Sequence, residues 1–139
     1  MDGAAAEHIR EAVPVIASYG DAIGIRAFAE RRNLEDDLAD KEYMALRKLC
    51  DIPLINMESA INHPCQSLAD WKTMDDLGVP TNGGKFVLTW AFHPRALPLA
   101  VPAATVHMAA MRGMNVTVLR PGGFELPDSV IHKARKAAA

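Results

Sequence analysis

An arginine, a glutamate and two histidines are spaced along this 139-residue chain so that each falls at or shortly beyond the end of a short apolar run. Arg26 closes Ala22-Ile23-Gly24-Ile25, and Glu58 closes Pro53-Leu54-Ile55-Asn56-Met57. His63-Pro64-Cys65-Gln66 comes a few residues later, and His93 follows Lys85-Phe86-Val87-Leu88-Thr89-Trp90. In open parallel sheets, ligands bind beyond the carboxyl ends of strands, on loops and helix N-termini. Arg26 offers a permanent cation whose planar fork suits phosphate. His63 and Gln66 sit in what reads as the first turn of a helix, where free N–H groups and the helix dipole favour an anion. There His63 can donate a hydrogen bond to a carbonyl oxygen that becomes negative during acyl transfer. Each also has a plainer reading from type and position alone. Arg26 reads as well as a surface arginine, His63 as a helix cap, and Glu58 and His93 as solvated loop residues. Cys65 lacks an evident general base and follows Pro64, so it reads as a packing cysteine rather than a nucleophile.

Other chemistries fail on spacing. His8, His63, His93, His107 and His132 make no close pair and no Cys-x-x-Cys is present, so no metal site is expected. Gly20 and Gly24 do not form G-x-G-x-x-G, and Gly83-Gly84 precede a strand where a dinucleotide fingerprint must follow one. Met108, Met111 and Met114 read as core and helix-end packing.

The elements that must position these residues follow from periodicity. Ile9, Ala12, Val13, Ile16 and Ala17 give the spacing of an amphipathic helix over 7–19, interrupted at Pro14 and stopped at Gly20. A strand over 22–25 is followed by a polar stretch, 30–37, read as a solvated loop. A helix over 38–50, with Tyr43, Leu46, Leu49 and Cys50 facing inward, precedes a strand over 53–57. Pro64 suits the first turn of a third helix over 63–77. Gly78-Val79-Pro80-Thr81-Asn82-Gly83-Gly84 has linker composition. Beyond it come a strand over 85–90, a helix over 97–112 ended by Gly113, a strand over 115–119 and a helix over 127–139. Strands alternating with helices imply an α/β fold, a parallel sheet with helices on both faces. Two β-α-β pieces on either side of 78–84 imply two partial lobes, 1–77 and 85–139.

Composition narrows the function classes. The chain is 50% hydrophobic and 23% charged, as expected of a globular protein. Its 15 Lys+Arg against 17 Asp+Glu leave no basic excess for nucleic acid. Two cysteines suit a reducing cytosol, and the N-terminal residues lack the pattern of a signal peptide. The apolar stretch 96–111 is too short to span a bilayer. A cytoplasmic protein, neither membrane-bound nor nucleic-acid-binding, is the expectation.

The string Asn56-Met57-Glu58-Ser59-Ala60-Ile61-Asn62-His63-Pro64-Cys65-Gln66 resembles the His-Pro-x-Gln region of aspartate/ornithine-type carbamoyltransferases, most closely the N-acetylornithine branch. Gly24-Ile25-Arg26-Ala27-Phe28 is similar to the family's arginine-bearing strand end, and Thr89-Trp90-Ala91-Phe92-His93-Pro94 to the first strand of its second domain. The resemblance implies the carbamoyltransferase fold, with 1–77 as the C-terminal part of the carbamoyl-phosphate domain and 85–139 as the N-terminal part of the amino-acid domain. It assigns Arg26, His63, Pro64, Cys65 and Gln66 to carbamoyl phosphate, with His63 and Gln66 in catalysis. It assigns Glu58, and His93 beside it, to the amino-acid substrate. The implied reaction is attack of an amine on the carbamoyl carbon in arginine biosynthesis, without cofactor, in a homotrimer. Two family motifs, a Ser-x-Arg-Thr-Arg phosphate loop and a His-Cys-Leu-Pro string, do not occur in these residues. Pro102-Ala103-Ala104 stands where relatives often place Asn-Ser. The resemblance therefore implies an internal fragment that is inert on its own. It leaves N-acetylornithine, ornithine, succinylornithine or aspartate open as the amine, and a non-catalytic anion-binding chain as the other class.

Overall fold

The computed structural model describes residues 8–95 and 97–138. The expected helical contributions of Glu7 and Ala139 lie outside the described residues. Among the described residues, six helices and four strands run in the order α1 (Ile9–Ala17), β1 (Ile23–Arg26), α2 (Leu34–Leu38), α3 (Lys41–Arg47), β2 (Leu54–Glu58), α4 (Pro64–Asp76), β3 (Lys85–Thr89), α5 (Ala100–Met111), β4 (Asn115–Leu119) and α6 (Asp128–Ala137). The strands form two parallel pairs, β1–β2 and β3–β4, so the α/β class holds.

Local chemistry sets most of the boundaries. The His8 ring accepts from the Arg10 N–H to cap α1, which carries Pro14 inside it. Pro64 occupies the first turn of α4, where its missing N–H leaves nothing unpaired. Both α4 and α5 end in a Schellman motif. The Gly78 and Val79 N–H groups return to Asp75 and Met74, and those of Gly113 and Met114 return to Ala110 and Ala109. Gly78 and Gly113 hold φ of 66° and 74°, the left-handed conformation this motif needs.

Three boundaries differ from the sequence reading. The polar stretch expected as loop contains α2, because the Asn33 side chain accepts from the Glu35 and Asp36 N–H groups and nucleates a turn. The helix expected from residue 38 is split. Asp40 adopts φ 52°, ψ 38°, which breaks the run and starts α3 at Lys41. Helix α5 starts at Ala100 rather than 97; Pro98 disfavours the α region at Leu97, and the Leu99 carbonyl accepts the first bond of the helix from the Ala103 N–H.

The main core lies around α5. Ala103, Val106 and Ala110 of this helix pack with Leu126 and with Val130 and Ala134 of α6, against Leu88, Val116 and Val118 of the second strand pair. Helix α5 is apolar nearly all round and buries Ala100, Ala104, Met108 and Ala109 as well, the pattern of a central helix. Full burial of Val106, Val130 and Leu126 contributes about 1.5–3 kcal/mol each. The alternation along β3 and β4 sends Phe86, Leu88, Val116 and Val118 inward and leaves Val87 and Leu119 exposed on the other face. Ile55 and Met57 are likewise exposed on β2.

A buried arginine joins α4 to α5. The Arg112 side chain is 0% exposed, donates to Asp75 Oδ1 at 2.5 Å and to the Val79 carbonyl at 2.8 Å, and stands 5.6 Å over the Trp71 ring. The 78–84 segment is further tied down by the Gly83 N–H, which donates to Gly113, and by the Asn115 side chain, which donates to Gly83.

Candidate functional site

Arg26 and Glu58 meet because their strands are parallel neighbours with a register irregularity. Ile23, Gly24 and Ile25 face Leu54, Ile55 and Asn56 in sequence, but Arg26 then faces Glu58, leaving Met57 as the extra residue. An unbroken ladder would have set Arg26 against Met57. The bulge instead delivers a cation and an anion to the same strand ends, as bulges beside functional sites commonly do. The Ala27 N–H donates to the Glu58 carbonyl at 2.8 Å and locks the shifted register.

The Arg26 guanidinium donates to Glu58 Oε2 at 2.5 Å and lies 4.6 Å from the Phe28 ring centroid. Half of its side chain remains exposed, whereas the Glu58 side chain is only 11% exposed. The pair thus combines a charge-assisted bond with a stacked, partly wet guanidinium that keeps donors for another anion.

His63 is both cap and site residue. Its Nδ1 accepts from the Gln66 N–H at 3.3 Å, and its Nε2 stands 3.5 Å from Glu58 Oε2. An acceptor role for Nδ1 puts the proton of the neutral ring on Nε2, the nitrogen nearest Glu58 Oε2. The plainer reading of this histidine as a cap is correct, and the same bond leaves Nε2 as the ring nitrogen that faces Glu58.

The remaining sequence candidates divide. The Gln66 main chain joins the cap, but its side-chain amide donates to Asp70 Oδ1 at 2.8 Å, one turn along α4. Pro64 is half-buried at the helix start. Cys65 is exposed, and its thiol donates to the Asn56 carbonyl at 3.5 Å. His93 is exposed and closes its own turn, with Nδ1 within 3.0 and 3.1 Å of the Arg95 main chain. The structure therefore gathers Arg26, Glu58 and His63, keeps Gln66 on the rim, and leaves His93 in its own loop. Sequence reasoning did not single out Phe28 as the stacking partner of Arg26, and nothing in its spacing marks that role.

One hollow borders this group, and a larger one lies at the other strand pair. A cavity of about 130 Å³ is lined by Phe28, Glu58, Ser59, Pro98 and Ala100, between the ends of β1–β2 and the start of α5. A larger one, about 530 Å³, opens at the carboxyl end of β3, with Trp90, Leu97, Val101, Phe124 and Leu126 on its walls. Among the described residues no group of three or more His, Cys, Asp or Glu side chains is placed to hold a metal ion. No helix among them is long and apolar enough to cross a membrane.

Residues 1–76 match the family model for the aspartate/ornithine carbamoyltransferase, carbamoyl-P binding domain. The chain belongs to that carbamoyltransferase family. It is 41% identical over 133 residues to the N-acetylornithine carbamoyltransferase of Xanthomonas campestris pv. campestris, covering 94% of this chain and 38% of that protein. It is 37% identical over 135 residues to the N-succinylornithine carbamoyltransferase of Bacteroides fragilis, covering 97% of this chain and 42% of that protein. Among solved structures, acetylornithine transcarbamylase complexed with acetylcitrulline superposes with a TM-score of 0.86 at 36% identity, over 99% of this chain and 42% of that one. The carbamoyltransferase chain described here thus spans about two fifths of the length of these relatives.

Proposed function

We propose that this chain supplies the carbamoyl-phosphate side, and part of the amine side, of an enzyme that transfers the carbamoyl group of carbamoyl phosphate to the side-chain amine of N-acetylornithine. The observation that carries the reading is the convergence of Arg26, Glu58 and His63 at the carboxyl ends of parallel strands, beside the N-terminus of α4. In this reading Arg26 and the N–H groups of the first turn of α4, at Cys65 and beyond Pro64, hold the phosphate. The Nε2–H of His63 donates to the carbamoyl carbonyl oxygen, and the Gln66 amide joins it on leaving Asp70. Glu58 faces the amino-acid substrate, with His93 at the edge of the same pocket.

The chemistry is a substitution at carbon. The neutral amine nitrogen bonds to the carbamoyl carbon, the carbonyl oxygen takes negative charge, and the carbon–oxygen bond to phosphate then breaks. The carbonyl re-forms as phosphate leaves with the bonding pair, and the departing phosphate takes the proton that the amine loses. Donors fixed before charge develops lower the barrier, each about 2.7–4 kcal/mol in comparable sites. Every step uses side-chain and main-chain donors, so the reading calls for no cofactor.

The identity with N-acetylornithine enzymes supports the substrate, and the nearly equal identity with an N-succinylornithine enzyme supports that amine as the second reading. A division near 78–84 is part of the proposal, supported by the two separate strand pairs and by a family match ending at residue 76. So are a cytoplasmic location, a role in arginine biosynthesis and a homotrimer in the full-length form. The 139 residues alone are expected to bind the anion weakly and to turn over no amine.

The test is a titration of the isotope-labelled chain with carbamoyl phosphate, followed by the Arg26 Nε–H and His63 ring resonances. Saturable shifts of both signals in the parent chain, with the His63 shift lost in Arg26→Ala, are the expected result. Shifts that persist in that variant, or none in the parent chain, would overturn the assignment.

A further inference from the structure

We propose that Asp40 is a positioning residue for this site, setting the geometry of the Glu58–His63 loop from outside it; the inference deepens the reading above and rests on it. Asp40 precedes α3, where an aspartate ordinarily caps its own helix, yet its side chain makes no capping bond there. Both carboxylate oxygens reach nineteen and twenty residues away instead. Oδ2 accepts from the Ser59 hydroxyl at 2.6 Å, and Oδ1 accepts from the Ala60 N–H at 3.1 Å.

The loop so held is the one that joins Glu58 to His63. Ser59 is 1% exposed, and its hydroxyl also accepts from the Asn56 side chain at 3.1 Å. The Ser59 N–H donates to the Asn62 carbonyl at 2.8 Å, which closes the turn leading to His63. With Glu58 directly before this brace and His63 directly after it, a shift of Ser59 or Ala60 moves both carboxylate and imidazole. Burial makes these bonds strong and their loss costly.

Backbone conformation makes the same point. Asp40 holds φ 52°, which side-chain-bearing residues adopt at a cost, and such strain persists where surrounding bonds impose it. Neither a cap nor a relaxed backbone accounts for an aspartate here. The two bonds to the loop do.

Asp40→Gly removes the carboxylate while suiting the left-handed backbone. Asp40→Asn keeps an acceptor for the Ala60 N–H and also tolerates that conformation. Asp36→Ala, which removes an exposed carboxylate paired with Lys41, is the control. In the labelled chain, Asp40→Gly is expected to speed exchange of the Ala60 amide at least tenfold and to move the Arg26 Nε–H and His63 ring resonances. Asp40→Asn should do so to a smaller degree, and Asp36→Ala not at all. Faster Ala60 exchange with the Arg26 and His63 signals unmoved would mean a structural brace only, and would overturn the proposal. Should those signals move while the parent chain fails to bind carbamoyl phosphate, the functional reading falls and the positioning role of Asp40 stands. If Asp40→Gly does not fold, the Asp40→Asn spectra decide by the same criterion.

Discussion

Removing the half-exposed Asp75 should harm this protein more than removing its fully buried partner Arg112. Asp75→Ala leaves a guanidinium with 0% side-chain exposure, no carboxylate, and an Nε that already lacks a partner. An uncompensated buried charge typically costs 3–5 kcal/mol, and access of water through the space vacated by Asp75, 48% exposed, brings that to about 3 kcal/mol. Arg112→Met removes the buried charge itself. It gives up one bond to the Val79 carbonyl, about 1.5 kcal/mol, and the stacking on Trp71, about 0.5–1 kcal/mol, while the methionine refills part of the space. It also spares the desolvation of a guanidinium, so the net loss is about 1–2 kcal/mol. The double variant should match Arg112→Met alone, a coupling of about 3 kcal/mol between the two positions. Urea unfolding monitored by Trp71 and Trp90 fluorescence reads all three, with a constant m-value as the condition for comparison. Additive losses, or Arg112→Met costing more than Asp75→Ala, would show that this pair is not held by balance between burial and charge.

Two further outcomes follow from features already described. Burial, and then Lys133, hold the His107 imidazole below its ordinary range, so the folded state binds fewer protons there than the unfolded chain. Stability from this site should be full above the unfolded value, near pH 6.5, and should fall as pH drops below it; His107→Gln should flatten that loss in denaturant titrations from pH 7.5 to 5. Gly78→Ala and Gly113→Ala both place a side chain at positive φ, about 1–2 kcal/mol each, but only at Gly113 would the new Cβ meet an atom, Asn82 Oδ1 at 2.7 Å. Thermal melts should therefore rank Gly113→Ala as the more damaging, and equal losses would refute the steric part of the argument.

The strands were legible because each is a short apolar run bounded by glycine, proline or charge, and α5 because its apolar residues run to Gly113. The helix α2 was not, since its one turn holds three acidic residues between Leu34 and Leu38, too short a run to show a period, and the Asn33 cap is what starts it. The break at Asp40 was hidden as well. Its cause lies at Ser59 and Ala60, far along the chain. In the site, the strand-end rule picked out Arg26, Glu58 and His63 singly, but their meeting depends on an offset of one residue that side-chain alternation does not reveal. The engagement of Gln66 with Asp70 was readable in principle as a pair four residues apart on a helix.

That one-residue offset bears on which changes this pair of strands can absorb. Side chains alternate along a strand, so a ladder distinguishes odd from even and nothing finer. Substitution at Ile55 or Met57, both open to solvent, leaves the count intact. Loss of Met57, the extra residue, would restore an unbroken ladder with Arg26 still facing the glutamate, whereas an inserted residue would carry the carboxylate one place past the guanidinium. The bulge therefore makes the pair tolerant of one length change and intolerant of the opposite one, an asymmetry that a regular ladder does not have.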